Sequence, residues 1–275
     1  MLEAQLHDGS TIEVEIQGTG PTLLLPVNPQ PVVGPLAEQM RQYGADPALG
    51  QSLIKGLSDA FRVVAFDYEG QCLRIPKPET LTPANAASDI LSVADAVGAH
   101  RFAYYGYSWL AVIGLQLVIR TDRLWALIMG GFPPLNGPYK EMLRVTNASY
   151  EMASGARPMP SAEESEWSEG VLSRDQALQF VTLYQALQGF DDRAAQAQIT
   201  CPRLCFVGSK DEIQYDKNWD NVHVSLAGPI AHEQPQLTEL GWDVRVLDGL
   251  DHIQAMQAKH VVPILSSWLM ARLPS

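Results

Sequence analysis

With 275 residues, the chain is long enough for one large α/β domain that carries an insertion, because single hydrophobic cores stop growing near about 250 to 300 residues. A formal net charge of −12 repels phosphate backbones and anionic membrane surfaces, so it argues against nucleic acid as a partner and favours a small molecule. No stretch reaches the roughly 18 uninterrupted apolar residues of a membrane span, and the N-terminus lacks the pattern of a signal peptide, so we expect a cytoplasmic protein. We also expect a monomer or a homodimer.

Apolar patterning divides the chain into alternating strands and helices. The predicted strands are residues 2–7, 11–17, 22–27, 61–67, 102–105, 124–129, 202–208 and 242–247. The first two alternate apolar and polar residues around Asp8-Gly9, which predicts an antiparallel hairpin, and most of the others are apolar runs typical of strands buried on both faces. Predicted helices are two within residues 32–60, then 84–97, a helix from Trp109 onward, 139–154, 174–190, 226–240 and 253–273. The alternation indicates an α/β fold with a mostly parallel, doubly wound sheet that binds ligands beyond the carboxyl ends of its strands.

The chain has three cysteines, Cys72, Cys201 and Cys205, and so small and uneven a number argues against a disulfide framework. Cys201 and Cys205 stand four residues apart, but no neighbouring cluster of histidines completes a zinc site. We therefore expect inert thiols, and we expect neither a metal nor a cofactor.

Ser108 lies at the point where an apolar strand changes into a helix. Gly106 breaks the strand, and apolar residues recur at helical spacing from Trp109 onward. Such a turn strains the backbone of its central residue and projects the side chain above the sheet at a helix N-terminus. The backbone N–H of Trp109 is unpaired in the first turn and points to the place where an oxyanion would form. Ser108 therefore occupies a position that suits a nucleophile.

The stretch Gly106-Tyr107-Ser108-Trp109-Leu110 resembles the nucleophile elbow Gly-x-Ser-x-Gly of the α/β-hydrolase family, with Leu110 in place of the second glycine. The resemblance extends from Thr11 to Leu273. It implies an α/β-hydrolase core of residues 1–134 and 200–275, and a helical cap inserted at residues 135–199.

The resemblance also implies an acid and a base for Ser108. Gly208-Ser209-Lys210-Asp211 is similar to the Gly-x-x-Asp segment that carries the acid of the family, and His252 precedes the last predicted helix. A serine hydroxyl needs a histidine to take its proton and a carboxylate to orient the imidazole. Asp251 is the alternative acid, although neighbouring side chains in a loop diverge.

The second oxyanion donor is expected in the loop after the strand at residues 22–27. The family commonly has His-Gly there, whereas this chain has Val27-Asn28, and the following Pro29 has no N–H to donate. The Gln30 N–H and the Asn28 side-chain amide are the candidates. A turn-capping role for Asn28 is equally compatible with the sequence.

The strand end at Asp67 resembles the family pattern Asp-x-x-Gly-x-Gly-x-Ser, which Asp67 and Gly70 fit and from which Cys72 and Arg74 depart. An Asp at such a strand end usually binds backbone N–H groups of the adjacent loop. We therefore expect a structural role for Asp67.

Apolar residues of the predicted cap, together with Tyr107 beside the serine, are expected to line the substrate site. The candidates are Tyr107, Tyr139, Met142, Trp167 and Tyr184. The alternative for the cap residues is that they only pack the insertion onto the core. Serine at position 108 implies acyl transfer, so we predict a serine hydrolase that cleaves an ester, thioester or lactone of a medium-sized, largely uncharged molecule. The alternatives are a noncatalytic binding protein on the same fold, an acyltransferase and a hydrolase of carbon–carbon bonds.

Overall fold

The computed structural model describes residues 2–160 and 172–274, and the predicted α/β architecture is confirmed. The strands are β1 Leu2–Gln5, β2 Thr11–Gln17, β3 Thr22–Leu25, β4 Arg62–Ala65, β5 Phe102–Tyr107, β6 Leu124–Gly130, β7 Arg203–Gly208, β8 Glu212–Gln214, β9 His223–Ser225 and β10 Trp242–Leu247. The helices are α1 Pro35–Gln42, α2 Leu49–Leu57, α3 Tyr68–Arg74, α4 Pro83–Ala96, α5 Trp109–Val118, α6 Tyr139–Ala153, α7 Arg174–Ala186, α8 Asp192–Ala195, α9 Ala227–His232, α10 Gln234–Glu239, α11 His252–Ala255 and α12 Ala258–Met270.

Eight strands form the central sheet in the order β1-β2-β4-β3-β5-β6-β7-β10. Strand β2 runs antiparallel to its neighbours β1 and β4, and the other strand pairs are parallel. The loops after β3, β4, β5, β7 and β10 therefore emerge at one edge of the sheet. These loops carry all the residues that the sequence proposes for catalysis.

Two hydrophobic layers cover the sheet because successive strand residues point to opposite faces. Leu24 of β3 packs in the layer with α4 and α5, whereas Leu23 and Leu25 pack in the layer with α2 and α12. All three leucines are at most 1% exposed. Burial on both faces explains why these strands read as continuous apolar runs. Among the described residues, no helix has the length and apolar character that a membrane span requires.

The insertion between β6 and β7 contains α6 and α7, which pack against each other, and hydrogen bonds hold α7 on residues 72–78 of the core. Gln179 Nε2 donates to the carbonyl of Cys72 at 3.1 Å, and Thr182 Oγ1 donates to that of Pro78 at 2.6 Å. The Lys77 N–H donates to Gln179 Oε1 at 3.1 Å. Phe180 of the same helix meets Trp109 edge to face, with ring centroids 5.5 Å apart. Helix α7 therefore lies against the turn that carries Ser108.

A buried lysine joins the first hairpin to the core. The Lys77 side chain is fully buried, and its ammonium group donates to Asp8 Oδ2 and, at 3.3 Å, to Ser10 Oγ. Burial alone would raise the pKa of Asp8, but the hydrogen bonds from Lys77 and Ser10 outweigh it and lower that pKa to about 2. The charged form of Asp8 is therefore the one that stabilises the fold.

Several elements differ from the sequence prediction. Residues 68–74 form α3 instead of a loop, and Asp67 caps it by accepting from the Gly70 N–H at 3.0 Å, so the expected structural role is observed on a helix. The single helix predicted at 226–240 is wrong, because it breaks at Glu233 into α9 and α10, and Pro235 takes the first turn of α10, where proline is tolerated. Helix α7 ends at Ala186, and the predicted final helix is divided into α11 and α12. The hairpin of β8 and β9 was not predicted.

The three thiols are free, and two of them are buried. Burial raises the pKa of Cys72 to about 12 and that of Cys201 to about 11, which keeps both protonated at neutral pH. These thiols fit the expectation of inert side chains.

Candidate active site

The turn between β5 and α5 holds Ser108 in a left-handed conformation, with φ 55° and ψ −130°. The Ser108 N–H donates to the carbonyl of Gly130 on the neighbouring strand at 2.8 Å. A Cβ on Gly106 would lie 2.2 Å from the carbonyl oxygen of Leu110, so the turn requires glycine there. Strain of this kind persists only where the surroundings impose it, and it marks functional positions.

Leu110 takes the place of the second glycine of the motif without disturbing the turn. Its side chain is 7% exposed and joins the hydrophobic core, and its carbonyl accepts from the Tyr104 hydroxyl at 2.9 Å. Helix α5 also packs closely on the sheet at Gly114, where a Cβ would lie 2.8 Å from the Tyr104 ring. Glycines at positions 106 and 114 therefore allow the close packing of helix on strand.

Asp211 and His252 meet at the same edge of the sheet. His252 Nδ1 lies 3.0 Å from Oδ1 and 2.9 Å from Oδ2 of Asp211. The Asp211 side chain is fully buried, and burial raises its pKa, while the hydrogen bond and positive charge of His252 act in the opposite direction. A carboxylate accepts only, so Nδ1 carries the proton and Nε2 is the atom left to take one. The predicted contact of Asp211 with the imidazole is present.

The backbone of His252 is held by Tyr107, the residue before the serine. The Tyr107 hydroxyl donates to the His252 carbonyl at 2.7 Å, and the two ring centroids are 5.0 Å apart. From the other side, the carbonyl of Leu250 lies 2.2 Å from where a Cβ on Gly208 would be, so the loop packs directly on the end of β7. His252 is the first residue of α11, whereas the sequence places it in a loop. Tyr107 therefore contacts the histidine, and its hydroxyl proton is engaged by the His252 carbonyl.

Asp251, the alternative acid, forms its hydrogen bonds with Gln254 and not with the imidazole of His252. Its Oδ1 accepts from the Gln254 N–H at 2.8 Å, and the Gln254 side chain accepts from the Asp251 N–H at 3.2 Å. This reciprocal capping box satisfies the N-terminus of α11. Asp251 thus caps the helix that begins with His252.

In the loop after β3, the hydrogen-bond donors available to a substrate belong to Asn28. Asn28 Oδ1 accepts from the Gln30 N–H at 2.9 Å, and Gln30 Nε2 donates to Glu15 Oε2 at 2.9 Å. Both donor groups of Gln30 are therefore engaged. Within the described residues, no acceptor faces the backbone N–H or the Nδ2 of Asn28. The turn-capping role of Asn28 is thus observed, and because it uses Oδ1, it leaves Nδ2 available.

Trp109 stands at the start of α5 with its backbone N–H directed out of the helix. Within residues 2–160 and 172–274, nothing accepts from that N–H. Its ring is 8% exposed and packs between Tyr68, at 6.0 Å between centroids, and Phe180. Trp109 Nε1 donates to Glu69 Oε1 at 3.3 Å. Glu69 and Phe180 were not singled out in the sequence, although Glu69 falls inside the Asp67 motif.

Tyr139 and Tyr184, two more of the expected substrate residues, pack the insertion. Tyr139 is 8% exposed and contacts Phe132 and Phe190, with ring centroids 5.8 and 6.0 Å away, and Tyr184 is 2% exposed. Met142 is partly buried against the core. Trp167 lies outside the described residues. For the two tyrosines, the packing alternative describes the observed surroundings.

Comparison with known proteins relates the chain to hydrolases. No family model matches. A putative carbamate hydrolase RutD of Klebsiella pneumoniae (strain 342) is 27% identical over an alignment of 175 residues, which covers 56% of this chain and only 65% of the length of that relative. An esterase from Thermogutta terrifontis has a TM-score of 0.65 at 17% identity, over 99% of this chain and 98% of that one. An enol-lactonase from Burkholderia xenovorans LB400 has a TM-score of 0.60 at 18% identity, over 98% and 99%.

Proposed function

We propose that this chain, which has the α/β-hydrolase fold, is a serine hydrolase that forms an acyl-enzyme on Ser108. The observation that supports this most directly is the bond between buried Asp211 and His252 at the sheet edge where Ser108 stands in its strained turn. In this proposal the nucleophile Ser108 comes directly after strand β5, the base His252 after β10 and the acid Asp211 after β7. The names of the similar proteins, which include esterases, an enol-lactonase and a putative carbamate hydrolase, favour the same class of reaction.

In this mechanism, the Ser108 oxygen attacks the substrate carbonyl carbon, and His252 Nε2 takes the hydroxyl proton. Asp211 stabilises the imidazolium that forms, and the proton then passes to the leaving alcohol, thiol or lactone oxygen as the carbonyl bond to it breaks. Water attacks the acyl-enzyme with His252 again as base, which releases the acid and restores Ser108.

The oxyanion of each tetrahedral intermediate is bound by the Trp109 N–H and by Asn28. Trp109 is at the first position of α5, where the helix dipole adds to the donor. Asn28 supplies either Nδ2 or its backbone N–H. Gln30 is the weaker candidate, because its N–H donates to Asn28 and its side chain donates to Glu15.

Residues 135–199 act as the cap of the substrate pocket in this proposal. The contact of Phe180 with Trp109 supports this, since it places α7 beside the proposed oxyanion donor. The substrate class is an ester, thioester or lactone of medium size.

A fluorophosphonate probe tests the proposal because it reacts with activated serines. We expect the wild type to be labelled at Ser108 and Ser108→Ala to be unlabelled, with unchanged thermal unfolding. Ser58→Ala, at the far end of α2, is the matched control and should be labelled like the wild type. A folded wild type that resists the probe would overturn the proposal in favour of a noncatalytic binding protein.

A further inference from the structure

We infer that Glu69 is a specificity-determining residue that binds a cationic nitrogen carried by the substrate close to the scissile carbonyl. This inference rests on the proposed function. It replaces the expectation of a largely uncharged substrate with an ester, thioester or lactone that bears a protonated or quaternary amine.

The position of Glu69 places it beside the reacting centre. It follows β4 at the edge of the sheet that carries the proposed catalytic residues, and its Oε1 accepts from Trp109 Nε1 at 3.3 Å. Trp109 is the neighbour of Ser108 in the chain and the proposed oxyanion donor. A single side chain therefore separates the carboxylate from the place where the oxyanion forms.

Glu69 combines solvent exposure with a carboxyl group that neighbouring protein atoms crowd. The residue is exposed, whereas Tyr68 before it and Gln71 after it are buried. Burial nevertheless raises the pKa of Glu69, with the hydrogen bond from Trp109 opposing and the charge of Asp67 adding to the rise. A side chain that reaches solvent while protein atoms surround its carboxyl group is one that lines a concave site.

The charge of Glu69 has no compensating partner within the described part of the chain. Asp67, two residues earlier, is bound by the Arg74 guanidinium at 2.8 Å and by the Gly70 N–H. No ion pair is found for Glu69 among residues 2–160 and 172–274. Its contact with Trp109 is a single hydrogen bond to a neutral indole, which a neutral glutamine would also accept.

An uncompensated carboxylate is unfavourable beside a developing oxyanion, because like charges repel more strongly where protein displaces water. A substrate that brings its own positive charge removes this repulsion and gains an attraction. The net charge of −12 also favours the approach of positively charged substrates.

Two esters of the same shape test this inference: butyrylcholine and 3,3-dimethylbutyl butyrate, in which carbon replaces the charged nitrogen. Hydrolysis is followed by titration of the released acid at constant pH. We expect the wild type to favour the choline ester in kcat/KM by about tenfold or more, an ion-pair effect of ordinary size. Glu69→Gln should lose most of this preference, mainly through KM, while retaining its activity on the neutral ester. Glu3→Gln, which removes one charge from distant strand β1, should keep the preference.

Equal losses on both esters in Glu69→Gln would overturn the inference and leave Glu69 as a residue that positions Trp109. Binding of choline to Ser108→Ala, measured by calorimetry with and without Glu69→Gln, requires no turnover. If fluorophosphonate labelling fails but choline binding depends on Glu69, the cation site stands and the hydrolase proposal falls. If labelling succeeds and neither choline binding nor ester preference depends on Glu69, the inference is refuted alone.

Discussion

The proposed mechanism gives the Asn28 side chain two roles, as a turn cap and as an oxyanion donor, and substitution by alanine separates their energies. Its Oδ1 accepts from the Gln30 N–H at 2.9 Å, and its Nδ2 donates to no acceptor within the described residues. Loss of the accepted hydrogen bond should lower the free energy of unfolding by about 1 kcal/mol. Loss of an oxyanion donor should cost about 3 kcal/mol of transition-state stabilisation, or roughly 150-fold in kcat. The effect of Asn28→Ala on rate should therefore be much larger than its effect on stability.

The assay is kcat for a p-nitrophenyl ester, measured beside urea unfolding of the same samples. Gln30→Ala is the matched control. It removes the hydrogen bond from Nε2 to Glu15 but keeps the backbone N–H of residue 30, which donates to Asn28 Oδ1. We expect this control to change kcat by less than about threefold, as an exposed hydrogen bond contributes little.

A loss below about tenfold in Asn28→Ala would refute the side-chain donor and assign the role to the Asn28 backbone N–H, which the substitution preserves. A loss in Gln30→Ala equal to that in Asn28→Ala would refute the assignment of the second donor to Asn28 altogether. A stability loss that accounts for the whole rate effect would likewise contradict the two-role reasoning.

Three further predictions follow from the hydrogen bonds of the site and the first hairpin. Asp211→Asn should lower kcat about 10³-fold or more, because Asp211 binds the imidazole, whereas Asp251→Asn should change stability and activity little, because Asp251 caps α11 and asparagine is an equally good N-cap; the reverse ranking of kcat would transfer the role. Tyr107→Phe keeps the ring contact but removes the bond to the His252 carbonyl, so kcat should fall about fivefold with KM unchanged, and an unaltered kcat would contradict the positioning role. Since the pKa of Asp8 is lowered to about 2, its stabilisation is complete above the usual value of 3.8 and is lost as the pH falls through 2. Urea unfolding of Asp8→Asn should show a deficit of about 1 to 2 kcal/mol at neutral pH, allowing for solvent screening, and that deficit should vanish near pH 2.

Much of the fold follows from the sequence because its causes are local. Continuous apolar runs predict strands buried on both faces, as in β6, whose predicted bounds, 124–129, fall one residue short of the observed end at Gly130. Proline and glycine mark several of the breaks. The prediction of a single helix at 226–240 underestimated Pro235, which removes a backbone donor and so begins a new helix instead of continuing the old one.

The sequence by itself determined the turn at Ser108, because the need for glycine at Gly106 and the change from strand to helix are properties of consecutive residues. It also determined the chain order of Ser108, Asp211 and His252. Only the tertiary structure decided which groups meet. Tyr107 binds the His252 carbonyl across 145 positions of the chain, and Glu69 binds Trp109 across 40. The physical reason is that a hydrogen bond depends on the positions of two groups in space, and packing of distant segments sets those positions, whereas periodicity reports only on the surroundings of neighbours along the chain.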